Sequence, residues 1–132
     1  MNRLKGEISS ITTEGNLSLV TITCGEITLK SVIIEKPGTV PYLKTGHPVN
    51  ILFKETEVVI GKNTELPISL QNRIPCKIDR IESGKLLSKI VLKTSTDEIV
   101  AIITSNAVEQ LALEPGLPVL AMIKTNEIML SE

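Results

Sequence analysis

The 132-residue chain has no tryptophan, one phenylalanine, one tyrosine and one histidine. Proteins that hold single-stranded nucleic acid stack bases on aromatic side chains inside a basic groove. Here Phe53 and Tyr42 are the whole aromatic supply and the formal charge is -1, so nucleic acid is not an expected partner. One histidine, His47, excludes metal and acid–base designs that need several imidazoles. Within Lys44-Thr45-Gly46-His47-Pro48 it reads as a turn residue. The two cysteines, Cys24 and Cys76, follow no metal-ligand spacing and read as buried free thiols of an intracellular chain. No apolar run approaches the roughly 18 residues a membrane span needs, and the opening MNRLKGEISS lacks the apolar core of a signal peptide. A soluble, cytoplasmic protein without a membrane partner is expected. There is no Gly-rich phosphate loop, nucleophile elbow or Cys–His pairing. Asp97-Glu98 and the pair Asp79 and Glu82 fall at turns or on strand faces and read as solvated. No catalytic residue stands out, and an enzyme is not expected.

What the chain does have is aliphatic, β-branched bulk: 42% of its residues are hydrophobic, and Ile, Leu and Val dominate. That composition favours strands. It is also ordered in a repeat. With a shift of seventy residues, Asn2-Arg3-Leu4 falls on Asn72-Arg73-Ile74, Leu17-Ser18 on Leu87-Ser88, Gly46 on Gly116, Pro48-Val49 on Pro118-Val119 and Lys54 on Lys124, without a gap. Agreement in phase over such a span reads as duplication of one structural unit. The boundaries expected are 1–64 for a divergent first unit and 65–132 for the second, with the joint near Gly61-Lys62-Asn63-Thr64-Glu65.

Each unit predicts five short strands. In the first they run over Leu4–Thr12, Leu17–Thr23, Ile27–Ile34, Val49–Phe53 and Glu57–Ile60. In the second they run over Ile74–Ile81, Leu86–Lys93, Glu98–Thr104, Val119–Ile123 and Glu127–Leu130. Alternation such as Leu17-Ser18-Leu19-Val20-Thr21-Ile22-Thr23 marks half-buried strands. Between the third and fourth strands, Ser105 to Leu113 predicts a short helix, with a cap at Ser105 and a stop at Glu114-Pro115-Gly116. The first unit has Pro37 and Pro41 in the same place, which rules out a full helix. The expected fold is all-β: two tandem five-stranded OB-like barrels, with one short helix in the second unit.

The residues that carry chemistry are Ser69-Leu70-Gln71-Asn72, Ile103-Thr104, Ala107-Val108-Glu109-Gln110-Leu111-Ala112-Leu113, Pro115-Gly116 and Ile123-Lys124-Thr125-Asn126. In order and spacing they resemble the Mop domain of the TOBE superfamily. The first unit matches more weakly, through Asn2-Arg3-Leu4-Lys5-Gly6 and Phe53-Lys54-Glu55-Thr56. The pair together is similar to the di-Mop molbindins. That resemblance implies a cytoplasmic homo-oligomer, with a trimer favoured. It implies molybdate or tungstate held at subunit interfaces for storage or homeostasis, with no organic cofactor. The same unit also serves as a ligand-sensing or docking module in molybdate transport and regulation, which is the alternative function. A nucleic-acid-binding OB-like protein is the third.

A tetrahedral dianion without protons needs donors: backbone N–H groups, hydroxyls and a cation. It is bound through its oxygens, so no side chain ligates the metal directly. The resemblance makes Ser69, Thr104 and Lys124 the leading oxyanion ligands. It adds Asn72, Thr125 and Asn126, with Gln71 standing where the family has Arg. Arg73, two residues on and on the same side of a strand, is a candidate to supply the charge that Gln71 lacks. Ser105 sits at a helix start, where N–H groups favour anions. In the first unit Lys54 is the matching lysine, but Ile34 replaces Thr104, Met1 falls on Gln71, and Glu55 places a carboxylate beside Lys54. The first unit is therefore expected to be mainly structural or to carry a shallower site.

Overall fold

A computed structural model of the chain describes residues 1–62 and 65–132. Asn63 and Thr64, in the expected joint, lie outside the described residues. The first half contains β1 (Asn2–Glu14), β2 (Leu17–Cys24), β3 (Ile27–Ile33), β4 (Pro48–Phe53), a 3-10 turn over Glu55–Glu57, and β5 (Val59–Gly61). The second contains β6 (Asn72–Ser83), β7 (Leu87–Lys93), β8 (Glu98–Thr104), α1 (Ser105–Gln110), β9 (Pro118–Ile123) and β10 (Met129–Ser131). Among the described residues the architecture is two five-stranded sheets and one short α-helix, as the alternation of apolar residues predicts. β2 shows how the pattern works. Ser18, Val20, Ile22 and Cys24 are buried, and the residues between them are not.

The repeat reaches down to single hydrogen bonds. Gly46 and Gly116 have φ of 87° and 89°, values that suit glycine. Their N–H groups donate to Ile8 O and Ile78 O, both at 2.7 Å. One residue further on, His47 O and Leu117 O each accept an N–H from Ile8 or Ile78 at 3.0 Å. Both long strands then slip register at the same place, between Ile8 and Ser10 and between Ile78 and Arg80. A bulge there lets a long strand bend and serve two neighbours.

The sheets are not built from one half each. Their orders are β10-β4-β1-β2-β3 and β5-β9-β6-β7-β8. β5 leaves the first half and pairs antiparallel with β9, Val59 facing Met122. β10 returns from the second half to β4, Met129 facing Leu52. The last strand of each half thus completes the other half's sheet. One hydrophobic cluster runs through both, from Leu4, Ile22 and Phe53 to Ile74, Ile90, Ile123 and Ile128.

Two buried asparagines fasten the halves reciprocally. Asn72 is fully buried. Its Nδ2 donates to Lys30 O at 2.8 Å, and its Oδ1 accepts from Lys30 N–H at 2.7 Å. Its repeat counterpart Asn2 does the same to Val100 on β8, at 2.8 Å both ways. Each side-chain amide acts as a short piece of strand and satisfies one residue of the opposite third strand.

α1 is shorter than predicted and starts one residue earlier. Its cap is Thr104, whose Oγ1 accepts from Ala107 N–H at 3.1 Å. The expected cap, Ser105, has its hydroxyl engaged elsewhere: Oγ donates to Gly84 O at 2.7 Å and lies 2.8 Å from Ser88 Oγ.

Cys24 and Cys76 are free and buried. Burial pushes the Cys76 thiol from its ordinary value of 9.0 up to about 11. In the unfolded chain this thiol loses its proton first, so between about pH 9 and 11 the native state binds more protons than the unfolded state. Stability should therefore fall as pH rises through that window. Cys76 should also resist iodoacetamide at pH 8 in the folded protein and react on denaturation, as mass spectrometry of the alkylated chain would show.

Candidate functional site

The pairing of β6 with β9 brings Asn72 opposite Ile123. Gln71, just before, and Lys124, just after, therefore emerge from the same end of that strand pair. Ser69, Gln71, Lys124 and Asn126 are all exposed there. Lys124 follows the fully buried Ile123 at a strand end, as Lys54 follows the fully buried Phe53. Neither lysine side chain makes an ion pair among the described residues.

The Lys124 turn is held firmly. Glu127 N–H donates to Lys124 O at 3.0 Å. Val32 N–H, on β3, donates to Thr125 O at 3.0 Å. Ser31 Oγ donates to Ile128 O at 2.8 Å in a buried contact. The turn thus rests on the third strand of the other half. The first-half turn behaves alike: Glu57 N–H reaches Lys54 O at 3.0 Å, and the 3-10 turn packs on β8.

The predicted site residues therefore fall into two groups. Gln71 and Lys124 flank the terminal β6–β9 pair, Asn72 opposite Ile123, with Ser69 two residues before Gln71 and Thr125 and Asn126 directly after Lys124. Thr104 and Ser105 lie at the end of β8, the strand against which the turn after Lys54 packs. Beside the Lys124 turn it is β3 that ends, and the residue after it is Ile34, 80% exposed. Within one chain Thr104 and Lys124 are not brought together through these elements. Asn72 sits at the first group but turns its amide into the joint with Lys30. Glu55, in the place of Thr125, takes the α-ammonium of Met1 at 2.7 Å rather than Lys54. That hydrogen bond holds its carboxyl below the usual range.

Arg73 has a different place from the one expected of a charge donor. Its side chain reaches back along the chain: Nε donates to Leu70 O at 2.9 Å and Nη2 to Ile68 O at 2.8 Å. These two carbonyls flank Ser69. An Arg two residues from a candidate ligand was the sequence signal, but its direction was not readable from spacing.

Two antiparallel five-stranded sheets, each carrying a lysine turn at the end of its fourth strand, define a tandem of OB-like units. The TOBE domain model matches residues 68–130. A structure of the cytoplasmic molybdate-binding protein ModG with molybdate bound is similar over 98% of this chain and 94% of that one, at TM-score 0.92 and 25% identity. A molybdate-binding protein from Sporomusa ovata is similar at 33% identity and TM-score 0.50, over 51% of this chain and all of that one (100%). No curated protein matches the chain by sequence. The chain belongs to the TOBE family, as a tandem pair of Mop-type units.

Proposed function

We propose that this protein binds molybdate or tungstate reversibly in the cytoplasm and serves storage or homeostasis of the oxyanion. The observation that carries this reading is the Lys124 group. A lysine without an ion pair among the described residues follows Ile123, whose strand partner Asn72 follows Gln71, with the Ser69 hydroxyl close in sequence and the Asn126 amide in the same turn. Hydroxyl, amide and ammonium donors suit an anion that has four oxygens and no proton to share. Binding is by charge-assisted hydrogen bonds, without covalent or redox steps and without an organic cofactor.

Sites lie between copies of the chain. Thr104 is at another strand end from Lys124, so a second copy would supply it. Exposed apolar side chains border these strand ends: Ile34 at 80%, Leu86 at 78%, Leu87 at 55% and Leu17 at 51%. Such surface favours assembly, and a trimer is the state we favour. The first half, with Glu55 and Ile34 in place of Thr125 and Thr104, is mainly structural. A sensing or docking role in molybdate transport or regulation is the second reading, favoured by the uncharged Gln71 where the family has Arg.

Calorimetry with molybdate, tungstate, sulfate and phosphate tests this. Molybdate and tungstate should bind tightly and the lighter oxyanions weakly. Lys124→Ala should weaken molybdate by about tenfold or more, the scale of one hydrogen bond to a charged partner. Equal, negligible heats for all four anions would remove the storage reading and leave the docking one. Sedimentation of the same samples reports the number of copies.

A further inference from the structure

Residues 65–71 carry Ser69 and Gln71 but belong to no strand or helix. Packing holds their apolar side chains only in part: Leu66 and Ile68 are 37% and 42% exposed, and Leu70 is half-buried. Over Ile68 to Leu70 the Arg73 guanidinium gathers the carbonyls of Ile68 and Leu70 at 2.8 and 2.9 Å.

A trans peptide points its N–H opposite to its C=O. With the carbonyls of residues 68 and 70 turned to the guanidinium, the N–H groups of Ser69 and Gln71 are turned the other way. We propose that Arg73 is a positioning residue for oxyanion binding. It orients these two N–H donors and the Ser69 hydroxyl without touching the anion, and so replaces by preorganisation the direct cation that Gln71 does not supply. This rests on the proposed function, because it assigns the segment an oxyanion. A fork of fixed geometry is required for the two carbonyls, and a lysine ammonium is not its equivalent. A preorganised donor set binds more tightly because less ordering remains to be done on binding.

The test uses the full chain, with Arg73→Ala and Arg73→Lys. In anion-free protein, backbone order parameters of Ser69 and Gln71 should fall in Arg73→Ala from the rigid range near ~0.85 to below ~0.6. Calorimetry should show molybdate binding weakened about tenfold. Arg73→Lys should recover part of both losses, and the thermal midpoint should stay within a few degrees of wild type because Arg73 lies outside the buried core. Unchanged order parameters, or wild-type affinity in Arg73→Ala, overturn the proposal. If wild type itself gives no heat with molybdate or tungstate, the proposed function fails instead, and the order parameters alone decide whether Arg73 braces the segment.

Discussion

Replacing Asn72 by alanine should cost about 2–4 kcal/mol of stability, because two hydrogen bonds go and their partners stay buried. The Lys30 N–H and C=O that now meet the amide at 2.7 and 2.8 Å would face a methyl group instead. Asn72 itself is fully buried, so water reaches those groups only if the joint between β3 and β6 opens. Asn72→Asp should be nearly as costly: a carboxylate still accepts from Lys30 N–H but cannot donate to Lys30 O, and its charge would be buried without a cation. Asn2→Ala should give a loss of similar size through Val100. Urea unfolding of the three variants measures this. A loss below about 0.5 kcal/mol in Asn72→Ala, the level of ordinary surface changes, would show that the clamp contributes nothing.

The same asparagine shows how much could be read from the chain. Alternation, the seventy-residue phase and the prolines at 37 and 41 depend on neighbours in sequence, and they foretold strands and the single helix to within a few residues. Strand burial has period two whatever the strand pairs with. For that reason a strand over Glu57–Ile60 was legible, while its partner strand was not. A strand after a short turn has the same pattern whether it folds back on its own half or crosses to the other. Asn72 was legible as a polar residue with a task, but an amide serves a ligand and a backbone equally well, and topology decides. Thr104 and Ser105 were one residue out as a cap, because the hydroxyl of Ser88, seventeen residues away, draws Ser105 inward. The direction of Arg73 depends on an irregular loop with no periodicity to read.

Separately produced halves, residues 1–64 and 65–132, should fail to fold as monomers and should fold when mixed. We read the division near residue 64 as the border of a duplicated segment, not of two self-sufficient bodies. Alone, the first half lacks β10 and leaves β4 an open edge over Asn50, Ile51 and Leu52. It also keeps β5 with no β9 to pair with, and so exposes Val58 and Ile60, which are 3% and 8% exposed in the whole chain. The second half loses β5 and leaves Ile128, 2% exposed now, without its pocket. A body of about 65 residues buries only some 60% of its unfolded surface and has no margin for such losses. A smaller cut makes the same point: removing residues 128–132 should disorder β1 to β4, in the half that was not cut, before it disorders β6 to β8. Ile128 alone contributes about 2–5 kcal/mol by comparison with large-to-small core changes. Amide spectra of each half, of their mixture and of the truncated chain report the outcome. A half that gives dispersed resonances as a monomer would show that the exchanged strands are dispensable. A half that folds only as a dimer would show the exchange satisfied between copies instead of within one chain.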